Sequence, residues 1–104
     1  MLHPRKFAYS AHRTYTSSTS ADQGGRFDKD LMYHRGYALG TENKLKGVNV
    51  ALGPMTNMGR VAAGGRNWEG FGSDPYLSGW ASEMTVRGMQ DAGVQAWSAH
   101  FWLA

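Results

Sequence analysis

Hydrophobic and polar positions change their pattern close to residue 26. Residues 1–25 are polar and rich in hydroxyl side chains, with no helical or strand period. Such a composition is typical of a segment that cannot bury enough apolar area to fold. From Phe27 onward, apolar residues recur at regular spacing, which indicates secondary structure. We therefore expect a disordered tail at 1–25 and one ordered region at 26–104.

A first helix is predicted to begin after Asp28, a residue type that caps helix N-termini, and to end before Gly47. Gly36 and Gly40 each weaken this helix by roughly 1 kcal/mol relative to alanine, so we expect packing to hold it. Spacings of three and four predict its core-facing side, on which His34 is interpreted as a hydrogen-bonded core histidine. The predicted side consists of Phe27, Leu31, His34, Ala38, Thr41 and Leu45.

The segment after this helix alternates between apolar and polar residues and predicts a strand over 48–52. Gly53-Pro54 is expected to end the strand, because proline cannot continue a central ladder. A glycine-dense loop is predicted over 54–73. Loops of this length in a compact domain are usually functional or disordered, and the large aromatic residues beside charged ones favour a functional loop.

A second helix is predicted to begin at Asp74-Pro75, with the aspartate as N-cap and the proline in the first turn, and to end before Gly93. Gly79 and Gly88 are expected to let another backbone come close. The short apolar segment 94–101 predicts a second strand. The core-facing side of this helix is expected to carry Leu77, Ala81, Met84 and Gly88, with Trp80 beside them.

The order helix, strand, loop, helix, strand predicts an α/β fold. Two strands joined by a helix are expected to be parallel neighbours in a right-handed βαβ crossover. The glycine-dense loop then leaves the C-terminal end of the first strand, and His100 lies at the C-terminal end of the second. Parallel α/β folds bind ligands at that edge. We therefore expect Arg66, in the loop, to share a site with His100.

Arg66 has three interpretations. Glycines beside an arginine can cradle phosphate, but the loop matches neither G-x-G-x-x-G nor G-x-x-x-x-G-K-[ST]. A sugar suits the loop better, because hydroxyl oxygens accept from a guanidinium while the nearby Trp68 covers the apolar side of the ring. The remaining interpretation is a structural ion pair between Arg66 and Glu69.

Other chemistry is poorly supported by the residues. The chain has no cysteine, which excludes disulfides, thiolate metal sites and a cysteine nucleophile. Glycosidic hydrolysis generally uses two carboxylates, and Glu69 is the one loop candidate. No metal-ligand spacing connects the histidines, which are His3, His12, His34 and His100.

The net charge of +3 arises mainly from the tail, and residues 26–104 are nearly balanced. A nucleic-acid partner would explain the tail and nothing after it, so we expect no nucleic-acid binding. No apolar run approaches the ~20 residues of a membrane helix, and the N-terminus lacks the apolar stretch of a secretory signal. We expect no membrane association.

Several stretches between Phe27 and Phe101 resemble the N-terminal barrel domain of fungal β-glucosidases of glycoside hydrolase family 3. The most specific parts are GRNWEGF followed by DPYL, and then GMQDAGV, which leads into the last strand. The longer matching stretches are FDKDLMYHRGYALGTE, KGVNVALGPMTNMGR and AAGGRNWEGFGSDPYLSGW.

The resemblance implies a partial (β/α)8 TIM-barrel-like domain, accompanied by a sandwich domain, in an extracellular enzyme. It implies retaining hydrolysis of terminal β-D-glucose from cellobiose and related glucosides, as in cellulose degradation, with no metal or organic cofactor. Arg66 matches the family arginine that binds hydroxyls of the sugar at the cleavage point. His100 matches the histidine of the family's Lys-His pair, so the implied substrate-binding residues are Arg66 and His100.

The sequence departs from the family where it has Ala99 in place of the lysine of that pair. Trp97 and Ser98 also replace residues that are usually small. The family's nucleophilic aspartate and acid/base glutamate would lie beyond Ala104, so we expect no catalytic residue in this chain. We expect a β-glucosidase fragment whose partners are the rest of the barrel and the second domain. The alternative is a noncatalytic sugar-binding fragment.

Overall fold

The structure of the chain, a computed structural model, describes residues 27–99. The predicted tail at 1–25 and His100 lie outside these residues. Helices and strands alternate along the described part, and a short 3-10 helix lies in the loop between the first strand and the second helix. The elements are α1 (Lys29–Leu45), β1 (Val50–Met55), the 3-10 helix (Asn67–Glu69), α2 (Pro75–Asp91) and β2 (Gln95–Ala99).

Both helices begin at the predicted aspartates. The Asp28 carboxylate accepts a 3.1 Å hydrogen bond from the backbone N–H of Leu31, and the Asp74 carboxylate accepts one of the same length from Tyr76. Pro75 is the first residue of α2, where its missing N–H would have had no helical partner. Each helix start is therefore fixed by two or three neighbouring residues.

Both helices also end as the sequence predicts. Leu45 and Asp91 are the last helical residues, and Gly47 and Gly93 follow two positions later with φ values of 80° and 88°. Side chains other than glycine rarely adopt this left-handed conformation. The two glycines turn the chain out of each helix and into the strand that follows.

The two strands are parallel neighbours, as predicted. Their paired residues run from Val50 opposite Gln95 to Met55 opposite Ala99. Because α2 connects strands that run in the same direction, β1, α2 and β2 form a βαβ unit. The C-terminal ends of both strands consequently lie at one edge of the sheet.

The prediction that β1 ends at Gly53-Pro54 is wrong, since the strand continues to Met55. A bulge places both Leu52 and Gly53 opposite Trp97, which interrupts the ladder immediately before the proline. β1 has one neighbouring strand among the described residues, and proline is tolerated at bulges and on strands with a free edge.

The predicted core side of α1 is also wrong. Phe27 is 70% exposed and Leu45 84% exposed, and His34 is exposed rather than buried in the core. The helix instead buries a side with little hydrophobic area, because its partner helix approaches over small residues. The buried residues of α1 are Met32, Gly36, Gly40 and Asn43.

Backbone contact between α1 and α2 explains this choice. A methyl group placed on Gly36 would lie 2.5 Å from the carbonyl oxygen of Thr85, and one on Gly88 would collide with the carbonyl oxygen of Tyr33. Gly40 meets α2 in the same way. As predicted for Gly36 and Gly40, packing between helices compensates for their low helix propensity.

The core-facing side of α2 is largely as predicted. Leu77, Ala81 and Gly88 are buried, while Met84 and Trp80 are half-buried against the same core. The prediction for Gly79 is wrong, because no atom lies within 4 Å of the position its Cβ would occupy.

The core lies between the helices and one face of the sheet. One cluster joins α1, α2 and the loop, and the other joins the sheet to α2. The opposite face of the sheet is uncovered, with Leu52 37% exposed and Trp97 61% exposed. The first cluster consists of Met32, Phe71 and Ala81, and the second of Ala51, Met89 and Val94.

Within residues 27–99, no helix is long and apolar enough to cross a membrane.

Candidate functional site

The candidate site lies at the C-terminal edge of the parallel strands. The loop that carries Arg66 leaves β1 directly after Met55, whose paired residue in β2 is Ala99. The hydroxyl oxygens of Thr56 and Ser98 are 3.4 Å apart and connect the start of this loop to the end of β2. The predicted common edge is therefore present. His100 follows Ala99 but lies outside the described residues, so its convergence with Arg66 stays a prediction.

The loop between β1 and α2 is ordered by its own polar contacts. Asn67 donates from Nδ2 to the carbonyl oxygen of Val61 at 2.8 Å, and the Asn57 side chain accepts from the N–H of Gly59 at 3.1 Å. Gly70 packs so closely on the Asn57 carbonyl that a methyl group there would collide with it. These contacts draw the two halves of the loop together around the 3-10 helix.

Arg66 and Glu69 form a two-point ion pair within this loop. The 3-10 helix has three residues per turn, so it returns Glu69 to a position beside Arg66. Nε of Arg66 donates to Oε1 of Glu69 at 2.7 Å, and an Nη atom of Arg66 donates to Oε2 at 2.8 Å. The ion pair considered from sequence is thus present, and it orients the guanidinium.

The electrostatics of Arg66 follow from this pair. Its hydrogen bonds to Glu69 raise the pKa of Arg66 above the usual arginine value; desolvation opposes this, and the negative charge of Glu69 adds to it. The guanidinium is therefore charged at every accessible pH. The Arg66 side chain is 32% exposed and that of Glu69 10% exposed, so the arginine is the member of the pair open to a ligand.

An exposed aromatic residue adjoins this pair. Trp68 lies between Arg66 and Glu69 in sequence and is 56% exposed. Indole rings bury large apolar areas and stack on other flat surfaces. A donor-rich cation and an accessible aromatic ring thus occur within three residues, which suits a ligand with both hydroxyl groups and an apolar ring face.

The two acidic side chains of the loop both have hydrogen-bond donors as partners. Glu69 is held by Arg66, and Asp74 by the backbone at the start of α2. Between residues 27 and 99, no group of three or more His, Asp or Glu side chains is arranged to hold a metal ion. The partly exposed guanidinium of Arg66 can donate hydrogen bonds to a polar ligand.

Sequence reasoning missed the contact between Thr56 and Ser98. The two residues lie 42 positions apart, and neither belongs to a recognisable motif. The available signal was their position at strand ends: Thr56 directly follows β1, and Ser98 is the second-last residue of β2. The C-terminal ends of parallel strands meet at one edge of the sheet, so residues at these ends lie close together.

Comparison with known proteins identifies close similarities. A family model described as "Glycosyl hydrolase family 3 N terminal domain" matches residues 16–102. The "Probable beta-glucosidase G" of Aspergillus flavus is 54% identical over 85 residues, which are 81% of this chain and 10% of that protein. The "Probable beta-glucosidase L" of Neosartorya fischeri is 57% identical over 81 residues, covering 77% of this chain and 11% of that protein.

A solved structure agrees with these relatives. A glycoside hydrolase family 3 β-glucosidase from Neurospora crassa superposes with a TM-score of 0.78 and 53% identity, over 81% of this chain and 10% of that one. The predicted fold class is confirmed as a partial (β/α)8 TIM-barrel-like domain, of which the described residues form one βαβ unit. The chain spans about a tenth of the length of the relatives that it matches.

Proposed function

Because this chain belongs to the glycosyl hydrolase family 3 N-terminal domain family, we propose that it is a fragment of a β-glucosidase. The whole enzyme would remove terminal β-D-glucose from cellobiose and related glucosides. We place that enzyme outside the cell, where cellulose degradation occurs. The remainder of the barrel and a second domain would be its necessary structural partners.

Arg66 is the residue that we assign to substrate binding. The observation that carries the proposal is a charged guanidinium held by a two-point ion pair in a loop at the ligand-binding edge of a parallel sheet. Hydroxyl oxygens of a glucosyl unit accept hydrogen bonds from such a group. The exposed ring of Trp68 supplies an apolar surface nearby.

His100 is the second proposed substrate-binding residue. It directly follows Ala99 in the sequence, and Ala99 pairs with Met55, the residue after which the Arg66 loop begins. Its imidazole can both donate and accept hydrogen bonds with hydroxyl groups. Ala99 stands where the family has lysine, which removes one donor from this site.

Hydrolysis would depend on residues outside this chain. Cleavage of a glycosidic bond generally needs two carboxyl groups placed on either side of it. The two carboxylates of the loop are held by Arg66 and by the α2 N-terminus. These contacts favour sugar binding, rather than acid/base chemistry, as the contribution of this segment to the enzyme. The alternative function of the isolated chain is likewise noncatalytic sugar binding.

A chimera tests the proposal directly. The Aspergillus flavus relative would carry residues 16–102 of this chain in place of its matching segment, and hydrolysis of an aryl β-glucoside would be measured. We expect turnover, and we expect Arg66→Ala to lower kcat/KM by about a hundredfold through loss of charge-assisted hydrogen bonds. Arg60→Ala, which removes an exposed arginine of the same loop, is the control. Equal effects of the two substitutions would contradict the assignment of Arg66.

A further inference from the structure

We propose that Glu69 makes the Arg66 site selective for neutral polyols by fixing the guanidinium plane and cancelling its charge, so that anions such as phosphate are excluded. The proposal rests on the assignment of Arg66 as a sugar ligand and adds a positioning and specificity-determining residue to it. It also gives a structural reason why a glycine-dense loop containing an arginine should not bind phosphate.

The positioning part follows from the geometry of the pair. Two parallel N–H···O bonds of 2.7 and 2.8 Å define the plane of the guanidinium, whereas a single bond would let it swivel. Glu69 is the more enclosed partner, and an enclosed carboxylate is costly unless a cation accompanies it. The glutamate therefore acts as the anchor and the arginine as the oriented group.

The specificity part follows from charge. The loop between Met55 and Pro75 carries two arginines, Arg60 and Arg66, and two acids, Glu69 and Asp74. Asp74 caps α2, so Glu69 is the acid in direct contact with Arg66. A guanidinium attracts phosphate through its positive charge and forked donors. Pairing with Glu69 occupies one pair of guanidinium donors and balances the positive charge of Arg66, which weakens its attraction for phosphate. Neutral hydroxyl groups require hydrogen-bond donors but no net charge.

The contact between Arg66 and Glu69 is local in sequence. The two residues are three positions apart and are joined by the 3-10 helix, so one turn of the chain brings them together. The sample is the full 104-residue chain, kept at low concentration to limit self-association. The Nε–H signal of Arg66 in nuclear magnetic resonance spectra reports the pair directly, and titrations with inorganic phosphate and with D-glucose report selectivity.

The decisive variant is Glu69→Gln, which keeps the size of the side chain and removes its charge. We expect it to shift the Arg66 Nε–H signal and to bind phosphate at least about tenfold more tightly than the unaltered chain, with a strong salt dependence. The double variant E69Q/R66A should lose this phosphate binding. Glu42→Gln makes the same change in an exposed pair with Lys46 and should gain none.

A shorter acid separates the two roles of Glu69. Glu69→Asp keeps the charge but shortens the side chain by one methylene group, so its carboxylate no longer reaches Nε and Nη of Arg66 in the same way; we expect phosphate to remain excluded while the Arg66 signal moves. Phosphate binding that is equal in the unaltered chain and in E69Q would overturn the proposal. Failure of the unaltered chain to bind glucose would count against sugar binding by Arg66, while the phosphate comparison would still decide the role of Glu69.

Discussion

The hydroxyl group of Tyr33 in α1 donates a 2.9 Å hydrogen bond to Oδ2 of Asp91, the last residue of α2. The two residues are 58 positions apart, so the bond joins helices that lie on either side of β1 in the sequence. It raises the pKa of Tyr33 above the ordinary tyrosine value, and desolvation and the negative charge of Asp91 add to the effect; the nearby Arg87 opposes it.

This bond makes the contact between the helices sensitive to alkali. A folded-state pKa above the unfolded one means that the contribution of Tyr33 to stability is complete below about pH 10 and is lost as pH rises through the raised value. The phenolate absorbance of the unaltered chain minus that of Tyr33→Phe should show a single tyrosine whose pKa lies above the ordinary tyrosine value. Asp91→Asn should return its titration toward the ordinary value. Equal titration of Tyr33 in the unaltered chain and in Asp91→Asn would contradict this expectation.

The backbone contact at Gly88 predicts a strong effect of one methyl group. Gly88→Ala forces the methyl against the carbonyl oxygen of Tyr33, and we expect it to reduce the free energy of unfolding by about 1–3 kcal/mol. Gly79→Ala is the matched control in the same helix, because nothing lies within 4 Å of its added methyl. There the higher helix propensity of alanine should stabilise the chain by up to about 1 kcal/mol. Urea unfolding followed by circular dichroism distinguishes the opposite signs.

The uncovered face of the two-stranded sheet predicts poor stability of the chain in isolation. Leu52 and Trp97 pair on this face and remain partly exposed, and within residues 27–99 each strand has one edge without a neighbouring strand. We expect a broad thermal transition, self-association at high concentration, and no hydrolysis of an aryl β-glucoside. A sharp cooperative melt of a monomer, or measurable turnover, would show that the segment is self-sufficient.

Replacing Ala99 tests the departure from the family's Lys-His pair. In the chimera described above, Ala99→Lys should restore a cationic donor at the C-terminal edge and increase kcat/KM for an aryl β-glucoside by about tenfold to a hundredfold, the value of one hydrogen bond to a charged group. The control is Gln95→Lys, at the opposite end of β2, which adds the same charge far from the proposed site. Similar increases in both variants would point to a general effect of charge.

Features that depend on neighbouring residues could be predicted from the sequence. The helix starts at Asp28 and Asp74 and the turns at Gly47 and Gly93 are determined by hydrogen bonds and backbone conformations that span only a few positions. The parallel pairing also followed, because a helix that connects two adjacent strands leaves few arrangements.

Features that depend on distant contacts could not be predicted in this way. The buried side of α1 is set by backbone approach at Gly36 and Gly40, which hydrophobic spacing does not register. The orientation of Arg66 required the 3-10 helix, and the sequence offered the ion pair with Glu69 only as one of three interpretations. The extension of β1 beyond Pro54 required knowledge of which edge of the strand is paired.

The bulge in β1 changes which residues of this strand lie on each face of the sheet. Leu52 and Gly53 both lie opposite Trp97, so the alternation between the two faces of the sheet is offset by one position after that point. If the ladder continued without the bulge from Ala51 opposite Ala96, Pro54 and Met55 would each lie on the other face of the sheet. The one extra residue of the bulge therefore decides which face of the sheet each side chain occupies where β1 meets the loop.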